Sequence, residues 1–149
     1  MSYEEKNSII SLIVTIGVFG YYGFRFSGLY AEGYFTGPEA MTRTGWEILY
    51  LIGYGIIAQI IGQIVLTILF SILANDPRPS FVVDERDRLI SLRGVRFGYA
   101  FAGGGVTLSI FALAFGWEPV IVFNLVIFSI AAGAFVETLV KVVLYRIGG

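Results

Sequence analysis

The chain has no cysteine and no histidine. The first absence excludes disulfides, thiolate nucleophiles and thiolate metal sites. The second removes the commonest general base, the usual haem or chlorophyll ligand and the commonest zinc ligand. With two methionines, one at position 1, no set of soft ligands remains. Neither a metal nor a redox cofactor held by side chains is therefore expected. Charge is also scarce. Of 149 residues only 14% are charged while 56% are hydrophobic, where a water-soluble domain runs nearer one quarter charged.

What is abundant is long uncharged sequence. Four such runs occur: Asn7–Phe24, Ile48–Asn75, Phe97–Trp117 and Pro119–Val136. Runs of about 18 residues suffice to cross a bilayer as helices. A soluble bundle would need a polar face on each helix, and these runs have none. Membrane β-strands would be shorter and alternating. The expectation is an all-α integral membrane four-helix bundle, residues 1–149 forming one transmembrane domain, with helices at about 7–27, 46–74, 94–116 and 119–146. The leader Met1–Lys6 lacks the positive stretch of a cleaved signal peptide, so the first span is expected to stay as a helix.

Basic residues orient such a protein. Lys6, Arg78, Arg86, Arg88, Arg93, Arg96, Lys141 and Arg146 fall on one side of the four spans, and Arg25 and Arg43 on the other. Both termini and the middle loop are thus expected in the cytoplasm. The outer side would carry a long segment, Arg25–Glu47, and a tight turn at Gly116–Pro119. Tyr21, Tyr22, Tyr30, Tyr34, Phe35, Trp46 and Trp117 would make an aromatic belt there. Gly28, Gly33 and Gly37 argue against continuous helix through the long segment.

Helices in lipid associate through small residues and hydrogen bonds. In the third span Gly94, Gly98, Ala102, Gly105 and Ser109 recur at helical spacing and offer a packing groove. Gln59, Gln63 and Thr67, continuing from Gly55 toward Ser71, make an inclined polar stripe on the second span. Glu137 and Lys141 stand four apart near the end of the fourth. Interhelical glue and a self-neutralising pair are one reading of these residues. A polar solute site between the second and fourth helices is the other. Gln63–Leu69 beside Glu137–Val143 also suggests two copies of a helical hairpin.

Between the second and third spans, Asn75–Pro79 ends a helix. Asp84 then reads as an N-cap with Asp87 completing a capping box. Arg86, Arg93 and Arg96 are candidate contacts for lipid phosphates or a partner protein. The mixed charges there do not form a nucleic-acid patch.

The segment Asp84-Glu-Arg-Asp-Arg-Leu-Ile90, with Arg93-Gly94, Arg96 and Gly98-Tyr99, resembles a loop of small, uncharacterised bacterial inner-membrane proteins. The leader Met1–Lys6 and the ending Val136–Lys141 with Leu144–Gly148 are similar to the same family. The resemblance implies a bacterial inner membrane and no particular activity. Two functions are carried forward. One is a non-enzymatic accessory or scaffold subunit whose partners are lipids and other membrane subunits or further copies of itself. The other is a small transporter or sensor. An enzyme is not expected, because Glu137 stands alone within the spans and no nucleophile and base are paired there.

Overall fold

A computed structural model describes residues 3–74 and 84–147. Its four helices are α1 (Tyr3–Ala31), α2 (Ala40–Ala74), α3 (Glu85–Ala114) and α4 (Pro119–Ile147). All four are long and apolar enough to span a membrane, with mean hydropathies of 1.6, 1.9, 1.5 and 2.3 in chain order. The protein is a multi-pass four-helix bundle.

The helices outrun the uncharged segments. α1 extends to Ala31 and α2 begins at Ala40, so the long outer segment shrinks to a short turn. Gly28 lies inside α1 with open space beside it. Gly33 does end α1. Its φ of +75° is a left-handed conformation, and Tyr34 N–H and Gly33 N–H bond back to the carbonyls of Leu29 and Tyr30. This pattern caps the last turn and favours glycine. Gly116, at φ +84°, ends α3 through the same pair of bonds to Ala112 and Leu113.

At the other end, Asp84 caps α3 and forms the full capping box with Asp87. The amphipathic segment that follows is the first part of α3 itself, which accordingly starts nine residues before the expected 94. The helix stop expected over Asn75–Pro79 lies outside the described residues, as do Arg78 and Gly148.

α1 pairs with α2 and α3 pairs with α4, making two hairpins. The hairpins dock through α1 and α4, so the helices neighbour one another in the order α2, α1, α4, α3. α1 and α4 run antiparallel. Tyr30 meets Glu118 at the hairpin-turn end, and Glu5 meets Arg146 at the end holding the termini. A twofold relating the hairpins would turn the α1–α4 contact into a matching α3–α2 contact. α2 and α3 share no packed face among the described residues, so the two hairpins dock asymmetrically. α4 is central, with 28% of its spanning window buried against 6% for α2.

The tightest seam joins α3 to α4. A Cβ added at Gly98 would lie 2.9 Å from the Gly133 carbonyl oxygen, and one at Gly133 would lie 2.7 Å from the Gly98 oxygen. The two backbones approach so closely that neither position has room for a methyl group. Ala102 packs on Gly133 and Gly105 on Ser129, with Ser109 buried beyond them. A second apolar cluster lies toward the hairpin turns. There Tyr22 of α1 packs with Ile48 and Leu51 of α2 and with Ile127 and Phe128 of α4.

Candidate functional site

The polar residues that a solute site between the second and fourth helices would bring together are kept apart. Gln59 Nε2 donates to Ser11 Oγ on α1 at 3.1 Å. Gln63 Nε2 donates to Asn7 Oδ1, one turn nearer the start of α1. Gly62 lies between them against Val14, which lets the two helices close and the amides reach. Thr67 is half-buried further along α2, its carbonyl accepting from Ser71 Oγ. The stripe therefore serves α1, and α4 only grazes α2.

Glu137 and Lys141 point to the opposite side of α4, toward α3. Lys141 Nζ donates to Glu137 Oε1 at 2.6 Å. The Lys141 stem lies over Gly94, and the Glu137 Cβ fills the space at Gly98. The glycines of α3 thus accommodate two long polar side chains of α4. In low dielectric the pair is neutral as a unit, and the lysine stem buries apolar surface beside it. Glutamines and ion pair form two sites, with α1 and α3 as their respective partners.

An open groove of about 550 Å³ runs between α1, α2 and α4, lined by Val18, Leu51, Ile56 and Ile130 among others, with Gln59 its one polar side chain. It is an apolar surface suited to a lipid chain. Among the described residues no three metal-ligating side chains cluster, and no buried side-chain nitrogen or oxygen lacks a hydrogen bond.

Two polar contacts near the hairpin turns escaped the sequence reading. Arg25 of α1 grips Glu47 of α2 with two parallel bonds, 2.8 Å from Nε to Oε2 and 3.0 Å from Nη2 to Oε1. The Glu47 side chain is only 6% exposed. Arg25 and Glu47 stand at the two limits of the expected outer segment, 22 residues apart, so local spacing does not show their pairing. The second contact is Tyr22 OH donating to Asn124 Oδ1 at 2.6 Å, between α1 and α4. Asn124 is 2% exposed, and its Nδ2 bonds the Val120 carbonyl. Tyr22 and Phe35, expected in the aromatic belt, are buried, whereas Tyr21, Tyr30, Tyr34, Trp46 and Trp117 are exposed.

The turn end gathers more chemistry. Arg43 bonds Glu39 and the Tyr34 carbonyl while lying over the Tyr34 ring. Phe26, Tyr30 and Phe35 stack beneath, with ring centroids 5.2 and 5.9 Å apart. Tyr30 OH reaches Glu118 Oε2 at 2.8 Å, tying one hairpin to the other. Arg86, Arg93 and Arg96 lie exposed on the first three turns of α3, interleaved with exposed Leu89, Leu92 and Phe97. Guanidiniums beside apolar side chains fit the boundary between headgroups and acyl chains. Comparison with protein-family models, curated proteins and solved structures finds no match to this chain.

Proposed function

We propose that the protein is a non-enzymatic accessory or scaffold subunit of an assembly in a bacterial inner membrane, with both termini cytoplasmic. The carrying observation is the set of glycines that the fold leaves unused. Gly17 and Gly20 on α1, Gly53 on α2, and Gly103 and Gly104 on α3 are exposed, and a Cβ at any of them would meet nothing within 4 Å. Glycine inside a helix costs about 1 kcal/mol relative to alanine. Within a membrane the return for that cost is close approach of another helix. On α3 the separation is clear: Gly94, Gly98 and Gly105 serve α4, while Gly103 and Gly104 face away from it. A helix of another subunit, or of a second copy, is the natural occupant of such a face.

The orientation rests on the distribution of basic residues, and the bacterial setting on the resemblance of the Asp84–Ile90 segment. A solute pathway between the second and fourth helices lacks comparable support, because Gln59, Gln63 and Glu137 are each partnered elsewhere.

The test is the size of the native particle after extraction with its surrounding lipid. Its protein mass, with the bound lipid subtracted, is expected well above the 16.4 kDa of one chain. A Gly103→Leu, Gly104→Leu variant should run smaller while keeping its helical content and thermal stability. A wild-type particle the size of one chain would reject the proposal.

A further inference from the structure

At the hairpin-turn end a pocket of about 520 Å³ opens between the two hairpins. Pockets of roughly 300–1,000 Å³ are of the size that holds small organic ligands. Tyr30 and Phe35 form an aromatic wall, Met41 and Pro119 an aliphatic one, and Glu118 and Thr36 supply oxygen atoms. Among the described residues no lysine or arginine lines it.

The charges at this end sharpen the chemistry. Four glutamates, Glu32, Glu39, Glu47 and Glu118, stand there with only Arg25 and Arg43. Arg25 is engaged by Glu47 and Arg43 by Glu39. Glu118 thus has no cation beside it among the described residues, its bond being to the Tyr30 hydroxyl. The Thr36 hydroxyl is already donating to the Gly33 carbonyl, so it offers only acceptor capacity. Glu118 and Thr36 are therefore arranged to accept, and Tyr30 and Phe35 add aromatic surface to the same lining.

We propose that this pocket binds an organic cation, a substituted ammonium group whose charge meets Glu118 and the Tyr30 and Phe35 rings while its alkyl part rests on Met41 and Pro119. An anion would face Glu118 without compensation. A neutral apolar ligand would leave the carboxylate partly desolvated for no gain. Because the lining comes from the α1 end, the α1–α2 turn and the α4 start, the bound cation would also bridge the hairpins. Two sources share this chemistry: a soluble amine, and the ammonium head of a zwitterionic lipid.

The experiment uses the whole chain carrying Trp46→Phe, in an uncharged maltoside detergent, with N-ethylpyridinium as probe and its quenching of the remaining Trp117 as readout. Wild type is expected to show saturable quenching. Glu118→Gln should weaken the probe roughly five-fold, the range of an exposed ion pair, and Glu118→Asp should restore most of the loss. Tyr30→Phe, which keeps the ring and releases the carboxylate, should bind at least as well as wild type. Tyr30→Leu should bind more weakly. Glu118 is exposed, so these variants are expected to fold. Equal affinity in wild type and Glu118→Gln, or quenching that never saturates, would overturn the proposal and leave the Tyr30–Glu118 bond as a strut. Adding phosphatidylethanolamine to the micelle distinguishes the sources. Competition with the probe identifies the lipid head, and its absence, with phosphatidylglycerol as control, identifies a soluble amine.

Discussion

Among single residues, Arg25 and Glu47 make the least equal partnership. The Arg25 side chain is 42% exposed and the Glu47 side chain 6%, so the arginine reaches the interface while the carboxylate sits between helices. Removing the two partners should therefore have different effects. Arg25→Leu strands a carboxylate in low dielectric and should destabilise the bundle by about 3 kcal/mol. Glu47→Gln leaves an arginine with access to water and should cost about 1 kcal/mol. Arg25→Leu combined with Glu47→Leu should recover most of the loss, since replacing both members with apolar groups removes the stranded charge. Reversible unfolding in mixed micelles measures all three. Equal losses for the two single variants would show that Glu47 reaches water as readily as its partner. Tyr22 and Asn124 follow similar logic with a neutral bond, their burial making the hydrogen bond a directional link between the hairpins.

At the level of helices, the stability of the α3–α4 hairpin rests on backbone proximity. Gly98→Leu would drive a side chain into the Gly133 carbonyl and the Glu137 Cβ. Neither can move without parting the helices, so a loss of 3 kcal/mol or more is expected, in the manner of an overpacked core. Gly94→Leu would meet the Lys141 stem as well as the Glu137 carbonyl. The stem can swing aside but the Glu137 carbonyl, 2.9 Å from the added Cβ, cannot, so a comparable loss is expected there. Thermal unfolding measures both variants, and either one as stable as the wild-type chain contradicts this packing. α2 differs in kind. It packs chiefly on α1 through the amides of Gln59 and Gln63, and a largely exposed helix held by polar contacts is the element most easily re-docked on a partner.

For the molecule as a whole, the asymmetric docking of two hairpins places the turns together at one end and the termini together at the other. Absence of native cysteine makes the orientation directly measurable. Glu39→Cys at the turn end should react with a membrane-impermeant maleimide added to intact cells. Glu85→Cys, at the start of α3, should react only after permeabilisation. The reverse pattern would invert the proposed topology, and with it the side from which the turn-end pocket takes its cation.

The sequence by itself determined the number of spans, the glycine groove of α3, the Asp84–Asp87 cap and the pairing of Glu137 with Lys141. Each depends on neighbours a few residues apart, or on hydropathy summed along one helix, and local spacing records both. Tertiary structure alone decided which helix faces which. The glutamine stripe had to find protein, but nothing local told α1 from α4. The answer lay in Ser11 and Asn7, two unremarkable polar residues that matter only because Gly62 lets α1 come close. Likewise Arg25 and Glu47, at the two limits of the expected outer segment, are 22 residues apart and meet only because α1 and α2 pack side by side. The helices run past the uncharged runs because their ends are fixed by the caps at Gly33 and Asp84, and Arg25 and Glu47 are accommodated within those helices by pairing with each other.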